Sequence, residues 1–156
     1  MRVTVRKAGQ EDQAAIAALV RQARLNPRDL AWARFVVAEI DQEIVGVAQV
    51  RLHPDGAHEL ASLVVQASLR GQGIATALID ALLAEKYGEV YTLIDRRFGP
   101  HFERWGFRAV DPGQLPRSVS RIYRVGRAVT TVASLLRREP IRIVPLKRSP
   151  STGQSP

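Results

Sequence analysis

The sequence predicts a mixed α/β fold: an antiparallel meander of strands that turns into a parallel pair. Three observations carry this expectation. β-Rich runs over residues 33–40, 44–52 and 59–65 follow one another on short turns, Asp41-Gln42-Glu43 and Pro54-Asp55-Gly56. A helical stripe of Ile74, Ala77, Leu78, Ala81 and Leu82 then separates the third run from a compact β-branched run over 90–94, and a strand-helix-strand order calls for a crossover between parallel strands. The chain has 156 residues, 46% hydrophobic and 24% charged, which suits one domain with a real core.

Each element has its own local signal. Arg2, Val3, Thr4, Val5 and Arg6 alternate as a short strand, and Gly9 breaks it. Asp12 is the expected N-cap of a helix to about residue 24, with Ile16, Leu19, Val20 and Ala23 as its apolar stripe. Asn26-Pro27 closes that helical region, and the meander follows. Residues 66–73 read as a loop, and the next helix runs to about Lys86, where Gly88 stops it. A short helix over 98–105 ends at Gly106, before a strand over 107–110. Pro112, Gly113 and Pro116 mark a loop. Val119, Ile122, Tyr123, Val129, Val132, Leu135 and Leu136 then suit helical periodicity, with Gly126 as a break. Residues 141–146 read as a last strand, which Pro145 confines to an edge or a bulge. The expected organisation is one domain over 1–147, containing a basic helical insertion over 116–138, and a disordered tail over 148–156.

Charge and composition exclude several classes. The net charge of +8 is not spread evenly, because residues 1–116 hold 14 basic and 14 acidic side chains and residues 117–156 hold nine and one. Only the C-terminal quarter is therefore expected to meet something anionic. Nucleic acid is disfavoured, since no aromatic residues interleave with those arginines in a binding motif. With no cysteine, disulfides, thiolate nucleophiles and Cys-based zinc sites are excluded. His53, His58 and His101 lack helical i, i+4 spacing, so no metal site is expected. A start without an apolar leader and the lack of a long apolar run make a membrane partner unexpected and a cytoplasmic address the default.

The segment Arg70-Gly71-Gln72-Gly73-Ile74-Ala75-Thr76 lies between a predicted strand and a predicted helix. Two glycines there let backbone N–H groups turn inward around an anion, and the helix N-terminus adds about half a positive charge. That geometry suits a pyrophosphate. The G-x-G-x-x-G spacing fails at Thr76, and no Gly-Lys-Ser/Thr follows, so neither common phosphate loop is present.

In this context the order of elements resembles the GNAT superfamily of acetyl-CoA-dependent N-acetyltransferases over about residues 2–111. Arg70, Gly73 and Ala75 match its Q/R-x-x-G-x-G/A acetyl-CoA signature. Phe102-Glu103-Arg104-Trp105-Gly106-Phe107 is similar to its later F-Y-E-K-x-G-F motif, and the opening V-R-K-A-G-Q-E-D is similar to its first strand and helix start. The resemblance implies that the amides from Gly71 to Thr76, including Gln72, Ile74 and Ala75, hold the pyrophosphate of acetyl-CoA. It implies that Leu63, Val64 and Val65 splay from the next parallel strand and bond the pantetheine arm. The Val65 amide would polarise the thioester carbonyl and steady the oxyanion.

An amine near pKa ~10.4 must lose a proton before it attacks, so a positioned base helps. Glu59 lies eleven residues before Arg70, the spacing of the general-base glutamate in histone acetyltransferases of this superfamily. Strand alternation puts Glu59 on one face with Ala61, Leu63 and Val65, and His58 on the other as a surface histidine. An exposed strand-end carboxylate is the alternative for Glu59. The tyrosine that serves the family as general acid is Phe102 here, and the family's frequent asparagine seven residues earlier is Asp95. The acid role is then vacant or falls to His101, Tyr123 or water.

The reading is an N-acetyltransferase with acetyl-CoA as cosubstrate, acting on a primary amine of a small molecule or peptide in a ternary complex. The alternative is a non-catalytic acyl-CoA-binding module of the same fold. Arg117, Arg121, Arg124 and Arg127 share a helix face and favour an anionic acceptor, with a solvated face as the plainer reading. A homodimer is left open.

Overall fold

The computed structural model describes residues 1–134 and 140–150. Its fold class is the one the sequence predicts, a mixed α/β fold with seven strands, antiparallel with one parallel pair. The chain forms two compact units, Met1–Arg51 with Leu60–Lys86 and Leu52–Glu59 with the residues from Tyr87 onward.

The first unit is built on an antiparallel ladder. Strand β1 (Thr4–Lys7) pairs with β2 (Phe35–Ile40), and β2 pairs with β3 (Glu43–Leu52). The turn between β2 and β3 has Asp41 at φ 48° and Gln42 at φ 67°. Two positive φ values are the signature of a two-residue turn whose twist matches the flanking strands. Strand β4 (His58–Val65) enters this unit at Leu60. Helix α1 (Gln13–Gln22) buries Ile16, Leu19 and Val20 against Phe35, Val37, Val47 and Val64. Helix α2 (Ile74–Leu83) buries Ile74, Leu78, Ile79 and Leu82.

Asp12 does not cap α1 with its side chain. A short 3-10 turn over Gln10–Asp12 precedes the helix, and the Asp12 carboxylate instead accepts from the Gly9 N–H at 2.8 Å and from Arg6 at 2.7 Å. Arg6 also donates to Glu39 at 2.7 Å, so the carboxylate is drawn to a cation across the ladder. The Arg6 hydrogen bond holds the Asp12 carboxyl below the usual carboxylate range. Helix α1 ends with Arg24 in left-handed backbone, where the Leu25 N–H donates back to the Val20 carbonyl at 3.2 Å, two residues before the expected Asn26-Pro27 stop.

In the second unit, β5 (Val90–Asp95), α3 (Gly99–Phe102), β6 (Phe107–Ala109), α4 (Arg117–Ser134) and β7 (Ile143–Arg148) follow in order. Strand β7 pairs antiparallel with β5 on one side and β6 on the other, so Pro145 lies in an inner strand. The edge placement expected from the sequence is corrected, and the geometry gives the reason. The Pro145 carbonyl accepts from Val110, just beyond β6, and in an extended strand a residue's N and C=O point the same way. The donor that proline lacks therefore faces the end of β6 and leaves the β5 ladder intact.

Gly126 does not break α4, which runs through it. A Cβ there would stand 3.1 Å from Ile143 Cδ1, so the glycine lets the helix lie close on β7. Val119 and Tyr123 are buried as the periodicity requires, whereas Val129 is exposed. Leu135, Leu136 and the tail from 151 lie outside the described residues.

Candidate active site

The loop that leaves β4 makes one 3-10 turn at Ala67–Leu69 and delivers Arg70 to Gly73 at the start of α2. Gly71 has φ 77° and Gly73 φ 81°, the left-handed region that glycine enters without penalty. Among the described residues, nothing lies within 4 Å of a Cβ built at either position. The glycines are thus required by backbone direction and not by crowding. Gly73 is the N-cap, and no side chain of the described residues caps the helix. The first amides of α2 are left for another acceptor, together with the positive end of the helix dipole. These residues fit a pyrophosphate.

Three contacts tie this loop to the ladder beneath it. The Gln66 N–H donates to the Val45 carbonyl at 2.9 Å, and Gln66 Nε2 donates to Glu43 at 3.1 Å. Arg70, predicted as a cofactor contact, turns its Nε toward the Val65 carbonyl at 3.4 Å. Gly46, which the sequence reading passed over, sets how closely α2 approaches. A Cβ there would meet Leu78 at 3.1 Å, Ile74 at 3.2 Å and the Val64 carbonyl at 3.3 Å. An isolated glycine inside a β-rich run was the available signal.

Leu63, Val64 and Val65 form the end of β4, with Val64 in the core beside Val47. Ser62, just before them, has φ 55°. One left-handed residue interrupts the alternation of a strand. The count in twos that put Glu59 on the face of Leu63 and Val65 therefore does not carry past Ala61.

Glu59 is not an exposed strand-end carboxylate. Its side chain is 6% exposed, and its Oε2 lies 2.6 Å from Nε2 of His53, which is 9% exposed. The turn that brings them together is closed by His53 N–H to the Ala57 carbonyl at 2.8 Å and Gly56 N–H to the His53 carbonyl at 2.9 Å. Sequence reading did not single out His53, because the pairing crosses a turn and has no motif. His58 is half-buried, its ring 5.3 Å from that of Tyr87.

The residues considered for the acid role are separated by burial. Phe102 is 4% exposed and packs edge-on against Trp105 and Phe107, each at 5.7 Å between ring centres. His101 is exposed beside it. Tyr123 is buried in α4, with the Arg127 guanidinium 5.8 Å from its ring centre. Asp95 accepts from the Arg97 N–H and guanidinium, each at 3.0 Å. Burial pushes its carboxyl up, but those bonds outweigh it and hold it below the usual range. Arg117, Arg121, Arg124 and Arg127 are all exposed on α4, and Arg127 lies over the ring of buried Tyr123. Among the described residues no group of three or more His, Asp or Glu converges as a metal site would require, and no helix is long and apolar enough to cross a membrane.

Known structures share this architecture. N-acetylglutamate synthase from Neisseria gonorrhoeae, complexed with coenzyme A and N-acetyl-glutamate, matches 96% of the chain at 21% identity with a TM-score of 0.70. The chain spans about a third of that protein, 35% of its length. Diaminobutyrate acetyltransferase from Paenibacillus lautus, in complex with L-2,4-diaminobutyric acid and coenzyme A, matches at 16% identity and TM-score 0.64, over 99% of both chains. A GNAT-family acetyltransferase from Staphylococcus aureus Mu50 matches at 15% identity and TM-score 0.62, over 95% of this chain and 99% of that one. No curated protein matches the chain in sequence. The family profile described as an acetyltransferase (GNAT) domain matches residues 31–109, half of the chain. This chain, with its bare-ended helix behind Arg70 to Gly73, belongs to the GNAT acetyltransferase family, acyltransferases whose cosubstrate is acetyl-CoA.

Proposed function

We propose that the protein transfers an acetyl group from acetyl-CoA to a primary amine of a small molecule or peptide, by direct attack in a ternary complex. The observation that carries this reading is the uncapped start of α2 behind Gly71 and Gly73. In the proposed site, the amides from Gly71 to Thr76 hold the pyrophosphate and the backbone of Leu63 to Val65 holds the pantetheine arm. The Val65 N–H donates to the thioester oxygen and stabilises the oxyanion as the amine adds. Glu59 takes the amine's proton, directly or through water, and shares it with the imidazole of His53. The tetrahedral intermediate then collapses, the carbon–sulfur bond breaks, and CoA leaves as a thiolate. With a thiol pKa near ~8.5, it leaves without the hydroxyl that Phe102 lacks.

The acceptor we favour carries a carboxylate or phosphate, such as an amino acid or an acidic peptide terminus. The exposed arginines of α4 support this, because they raise the local concentration of anions and repel polycations. Amino-acid ligands in the N-acetylglutamate synthase and diaminobutyrate acetyltransferase structures support it as well.

A thiol-release assay over amines, amino acids and peptides tests the reaction. Turnover in Glu59→Gln should fall by roughly a hundredfold at neutral pH and recover toward the amine's own pKa. Unchanged turnover at every pH would remove Glu59 as the base. Joint Arg117→Glu and Arg121→Glu substitution should raise the acceptor KM and leave that of acetyl-CoA unchanged. The buried Phe102 favours a second reading, a module that binds acyl-CoA without transfer, and saturable CoA binding with no thiol release from any acceptor would establish it.

A further inference from the structure

Gln49 has no part in the chemistry above, yet it is among the most completely buried side chains, with 0% exposure. Burying a side-chain amide is costly unless its donors and acceptor are met. Its Nε2 donates to the Asp29 carbonyl at 3.2 Å and to Ser62 Oγ at 3.0 Å, while Oε1 is buried with no hydrogen-bond partner among the described residues. A simple packing role would be filled better by leucine or methionine, which have no acceptor to strand.

Both residues that Gln49 holds are in left-handed backbone, each with φ 55°, and neither is glycine. Such conformations are unfavourable for residues with a Cβ, and they persist only where the surroundings over-determine them. One belongs to the loop between α1 and β2, and the other stands three residues before Val65. Beyond Ser62, the strand end is held by Val64 in the core, by Gln66 on the Val45 carbonyl and by Arg70 on the Val65 carbonyl. Those contacts secure the side toward the phosphate loop. The Gln49 amide secures the other side, where the strand changes direction.

We propose that Gln49 is a positioning residue for acyl transfer: by clamping Ser62 in its left-handed conformation and tying it to the Asp29 carbonyl, it aims the Val65 amide at the thioester oxygen. This rests on the reading of Val65 as the polarising group. A donor displaced by a fraction of an ångström loses much of its effect on a developing charge, although cofactor affinity, which comes mainly from the phosphates, stays the same.

The test reads the carbonyl itself and needs no acceptor. Acetyl-CoA labelled with carbon-13 at the thioester carbonyl is bound to the wild type, to Gln49→Met and to Ser62→Gly, and the carbonyl resonance is compared with that of free acetyl-CoA. In the wild type it should move downfield on binding. In both variants roughly half or more of that displacement should be lost, because the hydrogen bond is directional, with CoA affinity unchanged. Ser62→Gly guards against misfolding, since glycine adopts this backbone freely and its Tm should equal or exceed that of the wild type. Full displacement in both variants would overturn the role of Gln49 and leave Val65 standing. A wild-type resonance identical to that of free acetyl-CoA would instead overturn the Val65 reading, and the role of Gln49 with it.

Discussion

Helices α2 and α4 begin in opposite ways. The N-terminus of α2 follows Gly73 and has no side-chain cap among the described residues. That of α4 is filled by its own chain, because Asp55 accepts from the Ser118 N–H at 3.0 Å and from its hydroxyl at 2.8 Å. Both helices present unpaired amides and the same positive pole to an anion. At α4 the protein supplies that anion as a carboxylate, so this helix start is satisfied from within. At α2 two left-handed glycines open the helix, no side chain of the described residues caps it, and this is where the proposed reading puts the cofactor's phosphates. A helix start is thus not a site by virtue of being a helix start. What makes it one is the lack of an internal anion.

The largest effect should come from putting an anion where α2 lacks one. Gly73→Glu combines left-handed strain of ~1–2 kcal/mol with charge against the pyrophosphate, so CoA affinity by calorimetry should fall by roughly a hundredfold. Gly73→Ala, which carries only the strain, should fall less. Equal affinity in Gly73→Glu and wild type would end the comparison.

The next effect is on the amides themselves. Exchange at Ile74 and Ala75 should slow by about tenfold or more when CoA saturates the protein, while Ser118 should exchange at the same rate with or without it. Slowing at Ser118 would mean that α4 also receives the ligand. A smaller, indirect effect is expected from Gly46→Ala, which presses on Ile74 and Leu78. Overpacking of this kind costs about 1–3 kcal/mol, so Tm should drop and CoA affinity should weaken severalfold as the α2 start shifts.

The smallest effect is at α4. Asp55→Asn should lower Tm modestly and leave CoA binding unchanged. The Ser118 N–H, with the Ser118 hydroxyl next, holds the Asp55 carboxyl below the usual carboxylate range. A depressed carboxylate adds stability above its unfolded pKa of about 3.9 and loses it as pH falls through the folded value. The Tm gap between wild type and Asp55→Asn should therefore be constant from neutral pH down to about 5 and close below about 4. A gap that persists in acid would show that Asp55 acts through packing and not charge.

Much of the α2 side of this comparison was legible in the residues. Arg70-Gly71-Gln72-Gly73 announces a turn that only glycine makes easily, and the stripe from Ile74 to Leu82 announces the helix it opens. Both signals are local, so a reader needs no fold to see them. The α4 side was less legible. Its helix was expected, but its cap lies 63 residues earlier, at Asp55, and no spacing rule spans that distance. Gly126 looked like a break because helix propensity penalises glycine by about 1 kcal/mol. The close approach of Ile143 overrides that penalty.

By itself the sequence determined the order and kind of the elements, the glycine turn that opens α2 and the resemblance to the family. Each depends on periodicity, turn residues or motif within a few positions. Only the tertiary structure decided that Glu59 is buried against His53, that Ser62 interrupts the strand leading to Val65, that Gln49 holds Ser62, and that Pro145 sits harmlessly in an inner strand. The physical reason is common to all four. Burial, left-handed backbone and hydrogen-bond direction are set by what arrives from elsewhere in the chain, and hydrophobic periodicity records only which face is covered, not by what.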